Sequence, residues 1–350
     1  MEPAQEQLLE LACCPSAGKD REKIDINIGS GGVLRQGMSS SLIVRVRKDA
    51  PADDDYLKLV REVLKHGDKQ EGRNGGVRVV VGAALAFPLN DGQVPFITTK
   101  RLAWRTCLKE LLWFIRGSTS ATELAAEGCH IWDANAKAFK AAKDAERGVG
   151  TPRECKCCVH SPYPEGELGP VYGRQWRRWG DGAGGCMDPG HDQLANAIDL
   201  LRDPATRFSR RIIVSAWNVS DLNDMALPPC HLLYQFNVIN GDELICTMYQ
   251  RSVDVGLGLP FNMASYGMLT HFVARAAGLR ATRLVMMLSN VHIYENHVEQ
   301  LTEQLTRTSS DMITRLNLEL IPTEIDNIRL EHVQVIDYEH AGDLPMPMSA

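Results

Sequence analysis

The sequence predicts an α+β fold, and three observations carry that prediction. Segments with helical and with strand-like periodicity are interspersed, without the regular βαβ rhythm of a doubly wound sheet. Asn240-Gly241 stands between two alternating runs in "LLYQFNVINGDELICTMYQRS", the mark of a tight antiparallel hairpin. The run "PFNMASYGMLTHFVARAAGL" is a long apolar helix that opens at Pro260 and closes at Gly278.

Taken in order, residues 1–52 carry a Gly/Ser-rich stretch, "GSGGVLRQGMSSS", and are expected to form a flexible extension holding one short strand at "SLIVRV". Organised structure is expected from 53 to 350. "YLKLVREVLKH" is a helix stopped by Gly67, and "GRNGGVRVVVGAALAF" a glycine turn leading into a strand. "RLAWRTCLKELLWFIRG" and "SATELAAEG" are two helices, each with its own glycine stop. The pattern breaks down over 136–166, which reads as an insertion. "GCMDPGHD" is a loop, "QLANAIDLLRD" a helix and "RRIIVSAW" a strand. After the hairpin and the apolar helix come a strand "RLVMMLSNVHIY", a helix "NHVEQLTEQLTR" and two strands, "RLNLEL" and "HVQVIDY".

Composition narrows the function. The 350 residues are 44% hydrophobic and 23% charged, as in a globular protein with ample core. A net charge of −6 gives no global attraction to nucleic acid, so an anionic ligand must find local arginines. No apolar run reaches the ~20 residues of a membrane span, and the N-terminus makes a poor signal or transit peptide. An intracellular, cytoplasmic protein is expected, with its ten cysteines as free thiols. "CKCCVH" at 155–160 lacks paired Cys-x-x-Cys spacing, so a loop with incidental thiols is expected there rather than a metal site.

A few residues stand out chemically. Cys230 follows two prolines in "MALPPCHLLYQFNV" and precedes a strand. It is either a small buried hydrophobe or a nucleophile, and a thiolate there would need the charge of Arg210, Arg211 or Arg251. Glu110 interrupts an apolar helix; unless it turns to the surface beside Lys109, burial would make it an acid/base group. Asn262 is either a helix cap or a reader of a base edge, since its amide both donates and accepts. His292 and Tyr294 alternate on a strand and share a face, where they are half-buried or bind a sugar hydroxyl.

Eight segments together resemble the thymidylate synthases, in the family's order and near its spacing. They are "TTKR" (98–101), "ELLWFIRGSTSATEL" (110–124), "IWDAN" (131–135), "LGPVYGRQWR" (168–177), "RRIIVSAWN" (210–218), "MALPPCH" (225–231), "YQRSVDVGLGLPFN" (249–262) and "VHIYENH" (291–297). The resemblance implies a large mixed, twisted sheet with flanking helices, in a homodimer that packs sheet against sheet. It implies reductive methylation of dUMP to dTMP, with 5,10-methylenetetrahydrofolate supplying the carbon and the hydride and with no metal. Cys230 would add to C6 of the uracil and activate C5. Glu110, Asp254, Tyr172 and His231 would complete the catalytic set. Arg73, Gln250, Arg251 and Ser252 would hold the nucleotide, joined by Arg210 and Arg211 from the partner subunit. Asn262 would read the uracil edge, and His292 and Tyr294 the deoxyribose. Ile131, Trp132, Asn135, Asp254, Leu257, Gly258, Phe261, Tyr294 and Ser349 would line the folate site, with the C-terminal tail closing over it. Neither a membrane nor a nucleic acid is required.

The chain departs from the family pattern in places. The phosphate loop reads "GRNGGVR" (72–78), keeping Arg73 and gaining Arg78, and Val253 replaces a smaller residue. Ser289-Asn290 stands where the family has Gly-Asp, and the tail has lost its usual basic residue. Two further readings stay open: a dUMP or dCMP hydroxymethylase of the same fold, and a catalytically weak nucleotide- or RNA-binding relative.

Overall fold

The structure, a computed structural model, describes residues 42–43, 52–72, 75–147, 163–181 and 190–348. All of them fall within the unit Ser39–Ala350. Most of the N-terminal extension, the cysteine cluster at 155–160 and the loop at 182–189 lie outside the described residues.

The described elements run β1 (Leu42–Ile43), α1 (Ala52–His66), β2 (Asp68–Gly72), β3 (Gly75–Pro88), α2 (Trp104–Ile115), α3 (Ala121–Ala126) and α4 (Asp133–Arg147). Then follow α5 (Tyr172–Arg177), α6 (Gln193–Arg202), β4 (Ile213–Ser215), β5 (His231–Ile239), β6 (Glu243–Asp254) and α7 (Gly258–Ala277). The chain continues through β7 (Arg280–Tyr294), α8 (Val298–Gln304), β8 (Arg315–Leu316) and β9 (Val335–Ile336). Seven strands form one mixed sheet, ordered β1-β3-β7-β6-β5-β4, with β2 folded back on β3. β6 and β7 run parallel, as do β1 and β3; the other pairs are antiparallel. This is an α+β architecture with a mixed sheet.

The hairpin between β5 and β6 turns at Asn240 and Gly241, both left-handed with φ of 50° and 92°. Asparagine and glycine tolerate that region, which is why this pair marks the turn in the sequence. α7 is buried along most of its circumference, from Leu259 to Ala277, and so occupies the centre of the core. Gly278 ends it at φ 68°, its N–H bonded back to the carbonyls of Ala274 and Arg275.

Several expectations need correction. Residues 136–147, where the sequence pattern breaks down, are helical and form most of α4. β2, "DKQEG", is fully exposed and pairs with β3 through its backbone alone, so no apolar alternation announced it. Of the two final strands, only Arg315–Leu316 and Val335–Ile336 pair. Asn262 is not a cap, because the helix starts four residues earlier, at Gly258.

A cluster of aromatic rings joins the elements that carry the site. Phe114 of α2 lies 4.9 Å from Tyr172 and 5.5 Å from Trp176, both on α5. Trp176 lies 5.1 Å from Tyr234 on β5, which lies 5.5 Å from Tyr266 on α7. Each such pair contributes about 0.5–1.5 kcal/mol beyond its buried area. The chain of contacts fixes two helices, a strand and the core helix relative to one another, and each of them presents a side chain to the same cavity.

Candidate active site

A cavity of ≈ 470 Å³ opens over this aromatic cluster. Glu110 comes to it from α2, Trp132 from the residue before α4, Asn135 from its first turn, and Tyr172 from α5. Cys230 and His231 come from the head of β5, Gln250, Arg251, Ser252 and Asp254 from β6, and Gly258 and Asn262 from α7. His292 and Tyr294 complete it from β7. A wider hollow of ≈ 720 Å³ lies against α3 and α4, but it holds no cysteine and none of the expected residues.

Cys230 is half-buried at the point where the chain enters β5. Its main chain is held at both ends: its N–H donates to the Tyr172 hydroxyl at 2.7 Å, and its carbonyl accepts from Arg251 N at 2.8 Å. The Arg251 guanidinium donates to the carbonyls of Pro229 and Pro228 at 2.8 and 2.7 Å. The arginine fork thus satisfies two carbonyl acceptors of the proline turn at once. Arg251 therefore braces the turn that aims the thiol. Its Nη1 is not engaged in those bonds.

Beneath the thiol, His231 stacks on Tyr172 with ring centroids 4.0 Å apart, and its Nδ1 pairs with the Tyr266 hydroxyl at 2.8 Å. Burial pushes the His231 imidazole down to about 3, so it is neutral at working pH and acts as a fixed hydrogen-bonding group rather than a charge. Tyr266 was not singled out in the sequence. It follows Asn262 by four residues on α7, the spacing of one helix face, and that was its signal.

On the other side, Glu110 accepts a hydrogen bond from the Trp132 indole N–H at 2.7 Å. Burial pushes its carboxyl up to about 7, and this one hydrogen bond only partly opposes the shift. A carboxyl that titrates near neutral pH in a cavity can both accept and return a proton. The surface-facing alternative for Glu110 is thereby excluded.

The next group reads as a binding wall. Gln250 donates through Nε2 to Ser252 O at 3.0 Å and to Asn262 Oδ1 at 2.9 Å. These bonds fix which way both amides point. Asn262 retains one oxygen lone pair and its NH₂, matched to a ring edge that presents one donor beside one acceptor. His292 Nδ1 lies 2.9 Å from Asn290 Oδ1, an acceptor, so Nδ1 carries the proton and Nε2 is left to accept. Burial holds His292 below the usual imidazole range, against the pull of Asp254.

Asp254 stands where β6 gives way to α7. Its carboxylate accepts from Gly256 N at 3.0 Å and Gly258 N at 3.1 Å, and lies 3.7 Å from His297 Nδ1. Burial alone would raise its pKa, but His297 and the backbone donors bring the net below the ordinary carboxylate value. The same partnership raises His297 although burial opposes it. Met348 reaches the cavity from the C-terminal tail and was not anticipated as a lining residue.

Some expected residues are not brought to the cavity. Ile131, Leu257 and Phe261 are not among its lining side chains, and Ile131 and Phe261 pack against the core instead. Arg210 and Arg211 are exposed, and their guanidinium groups meet no hydrogen-bond partner among the described residues. Arg73 and Ser349 lie outside the described residues.

Among the described residues no cluster of three or more His, Cys, Asp or Glu could hold a metal ion, and no helix is long and apolar enough to cross a membrane. A braced thiol, a carboxyl tuned near neutrality and an oriented amide line one cavity, a set of groups suited to an enzyme site. Comparison with known proteins gives the class its family. The thymidylate synthase family model matches residues 54–350. The thymidylate synthase of Ascaris suum is 40% identical over 299 residues, covering 84% of this chain and 96% of the relative. That of equine herpesvirus 2 is 44% identical over 305 residues, covering 85% and 98%, and that of Zymomonas mobilis is 38% identical over 291 residues, covering 82% and 96%. The chain belongs to the thymidylate synthase family.

Proposed function

We propose that this chain converts dUMP to dTMP through a transient bond between Cys230 and C6 of the uracil ring. The observation that carries the reading is the convergence of Cys230, Glu110 and the Gln250–Asn262 pair on one cavity. Uracil C5 is a poor nucleophile. When the sulfur adds to C6, electron density moves to C5 and O4, and the hard substitution becomes several easier steps. Asn262 meets the uracil edge, where N3–H donates to the amide oxygen and O4 accepts from the amide NH₂. Glu110 takes the proton that C5 must lose and passes it to solvent, with a pKa of about 7 suited to both tasks. His231 stays neutral and orders the hydrogen bonds beneath the thiol.

5,10-Methylenetetrahydrofolate supplies the one-carbon unit and the hydride. The residues present suit it: Trp132 offers a flat apolar face, and Asp254 offers a carboxylate with lone pairs to spare for ring N–H donors. Trp132 also excludes water from the carbon being transferred, which water would otherwise trap. His292 and Tyr294 hold the deoxyribose, and Arg251 and Ser252, with Arg73, hold the phosphate.

We further infer a homodimer. Leu233, Tyr249 and Met287 are cross-strand partners on one sheet face, and they remain 36%, 38% and 44% exposed. An apolar row of that kind on a sheet face is suited to a second copy. Arg210 and Arg211 would then reach the partner's phosphate site. A cytoplasmic enzyme agrees with the composition.

The test is to incubate the protein with dUMP and the folate and follow the absorbance rise of dihydrofolate. A rise that depends on dUMP is expected. Folate consumption without the rise would mean hydroxymethylation, and no consumption would mean binding alone; either overturns the reading.

A further inference from the structure

We propose that His297 is a positioning residue that fastens the C-terminal segment to Asp254 and so couples tail closure to the folate side of the cavity. The proposal rests on the reading of that cavity given above.

His297 has no exposed surface. The two nitrogens of its ring face two different parts of the molecule. Nε2 lies 2.7 Å from the carbonyl oxygen of Pro347, which can only accept, so Nε2 carries a proton and donates. Nδ1 lies 3.7 Å from Asp254 Oδ1, within ion-pair range but beyond a hydrogen bond. Nδ1 has no hydrogen-bond partner among the described residues. A bare lone pair held against a carboxylate would be repelled. A second proton there places an imidazolium between the Asp254 carboxylate and the Pro347 carbonyl, and both favour that charge.

The space around the ring points the same way. A Cβ on Gly256 would lie 2.5 Å from His297 Nδ1 and 3.1 Å from Met346 Sδ, so only glycine lets the ring and the tail approach so closely. Lys100 Nζ donates to Gly256 O at 2.5 Å and stands 3.9 Å from Met346 Sδ.

Upstream, the tail is pinned along the 98–101 segment. Ala341 N donates to Thr98 O at 2.8 Å, Arg101 N to Gly342 O at 2.8 Å, and Arg307 Nη2 to Asp343 O at 3.0 Å. Past Asp343, the main-chain anchor among the described residues is the hydrogen bond from His297 to Pro347. One residue further on, Met348 lines the cavity. A ligand that engages Asp254 and the tail that covers it are therefore linked through this ring.

The test uses the full-length chain with His297→Phe, which keeps a ring but loses both polar contacts, and His297→Gln, which keeps an N–H donor. His297→Phe should raise the KM for the folate ~10-fold while leaving the KM for dUMP within about 2-fold, the loss of one anchoring hydrogen bond. It should also speed carboxypeptidase release of the C-terminal residues from the free enzyme by a similar factor, on the order of 10-fold. His297→Gln should recover most of both effects. The proposal is overturned if the Phe variant keeps the wild-type folate KM and digestion rate, if both KM values rise together, or if Gln does no better than Phe. Should His297→Phe fail to fold, Gly256→Ala, with His297 intact, must give the same split, and a wild-type profile there overturns the proposal. If the wild-type protein forms no dihydrofolate, the functional reading fails, while the digestion rates still decide whether His297 anchors the tail.

Discussion

The two walls of the cavity hold their reactive groups by opposite means. On the sulfur wall, polar groups crowd the backbone: the Tyr172 hydroxyl, Arg251 N–H and the Arg251 fork together fix Cys230 and the prolines before it. On the carboxyl wall, Glu110 has the Trp132 indole as its hydrogen-bond partner, and burial dominates its proton affinity. On the proposed reading, the contrast lets one cavity run nucleophilic and acid/base chemistry together. The nucleophile needs an exact direction, which hydrogen bonds to its main chain provide. The proton carrier needs a pKa near the working pH, which desolvation provides.

Removing the sulfur breaks the comparison most severely. Cys230→Ser should lower kcat by ~10⁴-fold or more, as loss of a nucleophile does, with dUMP affinity little changed. Retained turnover would mean that the braced turn serves something other than attack.

Glu110→Gln tests the other wall, with a smaller loss of kcat of ~10²–10⁴-fold and a KM for dUMP within a few-fold. It also has a stability signature of definite sign. Glu110 is raised from 4.5 to about 7, so between those values the folded state holds a proton that the unfolded state has lost. Stability therefore falls as pH rises through this window and levels off above it, by at most ~3 kcal/mol for this group. The Gln variant should lack that fall. Its melting temperature should exceed the wild type's above pH 7 and lose the advantage near pH 4.5, as differential scanning calorimetry would show. Parallel pH profiles would place Glu110 in water.

The comparison sharpens at the amide between the walls. Asn262→Asp replaces the NH₂ donor with a second acceptor, which meets O4 of uracil badly and the exocyclic amine of cytosine well. The ratio of kcat/KM for dUMP over dCMP should fall by ~10–150-fold, the cost of one mispaired buried polar group. An unchanged ratio would remove Asn262 as the reader of the base.

Features written in a continuous stretch of sequence were legible; those made by distant neighbours were not. The Asn240-Gly241 turn and the apolar α7 follow from local chemistry and stand as expected. β2 escaped because it contributes backbone and no apolar side chains, and the body of α4 escaped because its Ala and Lys residues resembled loop filler. "RLNLEL" and "HVQVIDY" have the alternation of strands, yet only two residues of each pair, and the backbone of 318–320 turns into a 3-10 helix instead. In the site, Cys230 and Glu110 were legible as a thiol and a carboxyl in improbable places. The neutrality of His231 was not, because it depends on burial by residues distant in sequence. Nor was the brace of Arg251 on the two prolines, which joins segments 22 and 23 residues apart.

Both walls have meaning only if the sulfur bonds to the ring. 5-Fluoro-dUMP presents fluorine where Glu110 would remove a proton, so the reaction should stop with Cys230 still attached to C6 when the folate is present. Mass spectrometry of the denatured, digested protein should then find the nucleotide and the folate on the peptide containing Cys230, and nowhere in Cys230→Ser. Full occupancy of the site without any covalent mass at Cys230 would contradict the account.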